Sequence, residues 1–158
     1  MASVVTIKAM RNCCNLLVIA HLQELFSCLP GWYYSKTSCF RYFQSQRSWA
    51  DAEAYCQSLK EGAHLPCLHE AKDLQYIAQT ISYYQQTRPV WIGLNDSQKN
   101  QDWKWLDGST YKSTSWLSAS GSHNGSCAKL SQDYGFKKWS GADCREAHPF
   151  VCKYTVLH

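Results

Sequence analysis

The sequence predicts an α+β domain: two helices packed on antiparallel sheets, with a long loop region and three disulfides. Three observations carry this. Two amphipathic helical patterns fall in the first half of the chain, short aromatic and β-branched runs fill the second, and nine cysteines are spread through both. With 158 residues, 45% of them apolar and 18% charged, the chain suits one domain with a substantial core and is no disordered tail. The net charge is +4, but the basic residues are scattered and only Lys137 and Lys138 are adjacent, so no nucleic acid is expected as a partner. No apolar run approaches 18 residues, so no membrane span is expected either.

Residues 1–27 read as a leader or weak signal peptide. Lys8 and Arg11 would form its charged part and Cys13–Ala20 its short apolar part, and the pattern improves if translation starts at Met10. The domain is then 28–158. Its elements follow in order. Trp32-Tyr33-Tyr34 and Cys39–Phe43 flank a Ser-Lys-Thr-Ser turn and predict a hairpin. Ser48 and Asp51 make a capping start for a helix that places Trp49, Ala52, Cys56 and Leu59 on one face and stops at Gly62. A second helix, from about Glu70 to Tyr84, carries the stripe Leu74, Ile77, Ala78 and Ile81. Val90–Leu94 reads as a buried strand, and Trp103–Leu106 alternates before the turn at Asp107-Gly108. Residues 108–126 read as a long surface loop, a kind often tied to function. Strands near Cys127–Leu130, Lys138–Ser140 and Phe150–Tyr154 close the chain.

Cys28, Cys39, Cys56, Cys127, Cys144 and Cys152 sit in strand-like or aromatic settings and read as a disulfide framework of an oxidising compartment. Spacing alone leaves fifteen pairings open. Zinc is the rival explanation for this cysteine content. No Cys-x-x-Cys pair occurs, and the nearest cluster, His64, Cys67, His69 and Glu70, reads as a core histidine beside an unpaired thiol, so no metal or other cofactor is expected.

Six blocks resemble the C-type lectin-like domain: Cys28–Trp32 with Cys39-Phe40, Trp49–Cys56, Gly62–Leu65, Trp91–Leu94, Trp103–Gly108 and Phe150–Cys152. The resemblance spans Cys28 to Tyr154 and implies the pairs Cys28–Cys39, Cys56–Cys152 and Cys127–Cys144. Within that superfamily the chain is most similar to the regenerating islet-derived secreted lectins, and to their type-four branch. Cys67 departs from the pattern as a free thiol or an intermolecular bridge.

Many such lectins hold calcium with a Glu-Pro-Asn or Gln-Pro-Asp triplet plus a Trp-Asn-Asp stretch. Here residues 108–132 contain no Asp or Glu, and the second half has become Trp139-Ser140-Gly141-Ala142-Asp143. A hard ion requiring six to eight oxygens is not expected there. Carbohydrate recognition would instead fall to two loops. The first is Asp96, Ser97, Gln98, Lys99, Asn100 and Gln101, where the resemblance implies calcium-independent mannose recognition through Asp96, Gln98, Lys99 and Gln101. The second is Asp133, Tyr134 and Gly135, with Gly135 at positive φ; both loops also read simply as turns. Single-sugar affinity would be roughly millimolar, so the expected ligand is a mannose-type polysaccharide or glycoprotein glycan. Asn95 and Asn124 are glycosylation acceptors if the chain is secreted. No catalytic motif is present and no enzyme activity is expected. The competing reading is a secreted signal that binds a cell-surface receptor without a physiological sugar ligand.

Overall fold

The protein is described here as a computed structural model covering residues 27–156. Residues 1–26, with the expected charged and apolar parts of the leader and Cys13 and Cys14, lie outside that range. Strands β1 (Tyr33–Ser35) and β2 (Ser38–Arg47) form the expected hairpin. Two helices follow, α1 (Trp49–Leu59) and α2 (Ala71–Tyr84). The remaining strands are β3 (Val90–Asn95), β4 (Lys104–Trp105), β5 (Ser118–Ala119), β6 (Cys127–Leu130), β7 (Lys138–Ala142) and β8 (His148–Thr155). They make one twisted sheet in the order β1-β2-β8-β3-β6-β7-β5, with β4 also on β3.

The sheet is mixed rather than antiparallel throughout. β8 returns between β2 and β3, antiparallel to β2 but parallel to β3, where Trp91 faces Phe150. β5 also pairs parallel to β7, so the segment 108–126 contains a short strand that its composition did not announce. Thr114 tethers the same segment through its hydroxyl to Leu117, whose side chain is buried.

Local chemistry accounts for the helices. The Ser48 hydroxyl accepts from the Asp51 N–H at 3.2 Å and caps α1, which buries Trp49, Ala52 and Cys56. Gly62, at φ +82°, turns the chain out of the region after Lys60. The stripe Leu74, Ile77, Ala78 and Ile81 is buried as its period requires, with Tyr76 and Tyr83 on the solvent side. The disulfides are Cys28–Cys39, Cys56–Cys152 and Cys127–Cys144, the pairing that the resemblance implies. The second closes a span of 96 residues between α1 and β8. A bridge of that length restricts the unfolded chain most, by about 4 to 5 kcal/mol on the chain-entropy model.

Buried indoles also act as pegs. Trp49 Nε1 donates to the Ile92 carbonyl at 2.8 Å, and Trp91 Nε1 to the Arg47 carbonyl at 2.9 Å. Glu53 is a further buried anchor that apolar periodicity does not reveal. Its carboxylate accepts from the Leu65 N–H at 2.8 Å and meets the His64 ring, so it holds the Gly-Ala-His-Leu segment against α1.

Backbone also approaches backbone closely at Gly93. Its N–H donates to Pro66 O and its carbonyl accepts from the Leu106 N–H, both at 2.9 Å. A Cβ here would lie 2.5 Å from the Leu65 carbonyl oxygen and 3.0 Å from that of Pro66, which are backbone atoms that cannot swing aside. Gly93→Ala is therefore expected to lower stability by about 3 kcal/mol, measured by urea unfolding. A cost below 0.5 kcal/mol would mean that the Leu65–Pro66 segment yields freely.

Candidate functional site

The first candidate loop joins β3 to β4. Its Asp96 is buried, and the two carboxylate oxygens accept from the Asn100 N–H at 3.2 Å and the Gln101 N–H at 2.8 Å. Asp96, expected among the contact groups, thus clamps its own loop. The clamp holds Lys99 at φ 55° and Gln101 at φ 66°, left-handed conformations that L residues avoid. Ser97, Gln98, Lys99, Asn100 and Gln101 are all exposed, so an ammonium and three amides remain available to solvent. The Asp96 N–H donates to Ser126 O at 2.8 Å, which places this loop at the start of β6.

The second candidate loop is a 3-10 turn, Gln132–Tyr134, between β6 and β7. Gly135 has the expected positive φ, and the buried Phe136 shares it at φ 62°. Asp133 and Tyr134 are exposed, and Lys138 Nζ sits over the Tyr134 ring at 4.8 Å. The two loops occupy opposite ends of the β6–β7 hairpin. β6 is four residues long, so roughly 13 Å of strand separates them, too far for one monosaccharide to touch both.

The second loop borders a feature that loop composition did not indicate. A groove of about 820 Å³ runs between α2 and the 115–118 segment, lined by Gln75, Gln79, Ser82, Trp116, Tyr134 and Lys138 among others. Gln79 also lines a neighbouring cleft of about 530 Å³ with Tyr33, Tyr34, Tyr76 and Tyr83. Amides, hydroxyls and open aromatic faces thus follow one another across α2. The spacing Gln75–Gln79–Ser82 on the polar face was the available signal, and it reads equally well as a solvated helix face.

The donor set where related lectins hold calcium does not fit that ion. Asp143 is engaged by Arg145 through Nη2 at 2.7 Å and Nε at 3.1 Å, and this pairing holds its carboxyl down at about 2. On β7 the His123 ring stacks on Trp139 at 4.6 Å, and its Nδ1 accepts from the Gly141 N–H at 2.8 Å. Partial burial pushes the imidazole below its ordinary value.

Comparison with known proteins agrees with this architecture. The sequence profile of the C-type lectin domain matches residues 45–154, and the chain belongs to that family, within its regenerating islet-derived group. Human regenerating islet-derived protein 4 is 45% identical over 128 residues, covering 81% of each chain. The mouse protein of the same name is 40% identical over 130 residues, covering 82% of this chain and 83% of its own. Among solved structures, human lithostathine superposes with a TM-score of 0.74 at 29% identity, covering 84% of this chain and 94% of its own. A mutant of human regenerating gene type IV protein gives 0.65 at 44% identity, covering 82% and 98%.

Two outcomes are expected from these contacts. Asp96→Ala should cost about 2 kcal/mol, because two backbone N–H groups lose a charged acceptor, while Gln98→Ala should stay within about 0.5 kcal/mol. Urea unfolding of the two variants separates the clamp from its neighbours. For His123, the folded imidazole titrates below its ordinary 6.5, so the unfolded chain takes up the proton first as pH falls. Its stabilisation is complete above about pH 6.5 and declines below it. Thermal melts at pH 7.5 and pH 5.0 should show a smaller pH-dependent drop for His123→Gln than for the wild type.

Proposed function

We propose that this protein is a secreted, calcium-independent lectin that binds mannose-type polysaccharide or glycoprotein glycans through its two loops, and that it is not an enzyme. The observation that carries the reading is the donor set. Exposed amides, an ammonium and an exposed tyrosine stand on surfaces where Asp96 and Asp143 are already engaged by the chain. In the first loop Gln98, Lys99 and Gln101 meet sugar hydroxyls while Asp96 positions them. In the second, Tyr134 offers a stacking face and Asp133 an acceptor beside the groove under α2. Each net hydrogen bond contributes about 0.5 to 1.5 kcal/mol, so one loop holds a single sugar only at about millimolar strength. Two loops on one repeating glycan gain by effective concentration. Asn124, exposed in the long loop, is the glycan acceptor we favour; Asn95 is half-buried at the end of β3 and too near the first loop.

Retention on immobilised mannan tests this. It should persist in EGTA, resist millimolar free mannose, and fall at least about tenfold in Gln98→Ala/Lys99→Ala with Asp96 left intact. Retention abolished by EGTA, or unchanged in the double variant, would sink the reading. The competing role, a receptor ligand, draws on the exposed Tyr33, Tyr34, Tyr76, Tyr83 and Tyr84, since tyrosines concentrate in protein interfaces. A Tyr76→Ala/Tyr83→Ala variant that keeps mannan retention but loses cell-surface binding would favour it.

A further inference from the structure

Two of the four residues in the sequence cluster go elsewhere in the fold. His64 meets Glu53, and Glu70 pairs with Lys36 at 2.8 Å. The other two, Cys67 and His69, are brought to Asp107, forty residues on in sequence. One ligand atom from each, a thiol sulfur, a ring nitrogen and a carboxylate oxygen, lies within 4.8 Å of the others. The backbone enforces this meeting, because Gly93 bonds both Pro66 and Leu106, the residues that precede Cys67 and Asp107.

We propose that Cys67, His69 and Asp107 bind one divalent cation of the zinc class. Sulfur, nitrogen and oxygen ligands together suit zinc, whereas calcium requires an oxygen shell that this set lacks. Three protein ligands leave one tetrahedral position for water or an exogenous group. The geometry is close to what the ion needs. Bonds of about 2.0 to 2.3 Å place tetrahedral ligand atoms about 3.3 to 3.6 Å apart. His69 Nε2 and Asp107 Oδ2 are now 2.6 Å apart and would open slightly, while the sulfur would close in.

The surroundings support the ligands as a metal site's outer contacts do. Asp107 Oδ1 accepts from the Ser109 N–H at 2.9 Å and from its hydroxyl at 2.5 Å, which fixes the carboxylate. Lys153 Nζ donates to the Cys67 carbonyl at 3.0 Å and fixes the backbone that carries the thiol. The His69 ring packs edge-on against Trp105. Binding the ion replaces the S–H proton by an S–metal bond and releases that proton to water. A cavity of about 190 Å³, lined by Leu68, His69, Trp105, Tyr111 and Trp116, adjoins the site.

The test uses the untagged, disulfide-intact protein, stripped of metal and titrated with Co²⁺ and then Zn²⁺, with no sugar present. Its outcome is therefore independent of the lectin reading. The wild type should take up one equivalent of Co²⁺ with a thiolate-to-cobalt charge-transfer absorption that Zn²⁺ displaces. Cys67→Ser should abolish the absorption. His69→Gln should weaken Zn²⁺ binding by about tenfold or more in calorimetry, with melting in EDTA unchanged for both variants. The absence of stoichiometric binding, or Zn²⁺ affinity that survives both substitutions, overturns the proposal.

Discussion

The close approach at Gly93 is the constraint on which the rest of this molecule depends. Three segments distant in sequence meet at one residue that has no side chain: the Leu65–Pro66 backbone, β3, and Leu106. Because both its N–H and its carbonyl are committed to these neighbours, Gly93 fixes where α1 hands the chain to α2 and where β4 ends. The core then closes around it with fully buried Trp91, Ile92 and Leu94. Any side chain here would separate backbone from backbone, and interiors packed to crystal-like density have no room to absorb that.

A second theme is the use of buried carboxylates as scaffold. Glu53 and Asp96 are both almost wholly covered; Asp96 spends both oxygens on backbone N–H groups, and Glu53 divides its own between the Leu65 N–H and the side chains of Gln57 and His64. Charge-assisted bonds of this kind are strong because the alternative is a desolvated anion without partners. The consequence for recognition is a division of roles. The acid shapes the loop between β3 and β4, and its neutral and cationic neighbours face solvent.

Much of this was legible from residue pattern. Helical periodicity found Leu74, Ile77, Ala78 and Ile81, a serine cap found the start of α1, and aromatic runs found β1, β2, β3 and β8. These signals are local, and local physics sets them. What escaped is what depends on chain return. Nothing near Phe150 says that it will lie beside Trp91 in parallel register, and nothing near Ser118 says that it will find β7. Burial of Asp96 was hidden for the same reason, since the N–H groups it accepts from come together only when the loop closes. Cys67 and His69 were visible as neighbours, but their third companion arrives through a contact forty residues away.

The edge of the sheet opposite β5 carries both ends of the described chain. The Leu29 N–H donates to the Tyr154 hydroxyl, and the Val156 N–H donates to Thr37 O. Entry and exit are thus stitched together beside β1 and β2, while β6 and β7, which flank the two loops, lie across the sheet. A tether attached at either end, whether a surface, a label or a fused module, leaves the far side unobstructed. Evolution and the bench share that freedom: the unit can be strung onto other modules without reorienting its exposed turns.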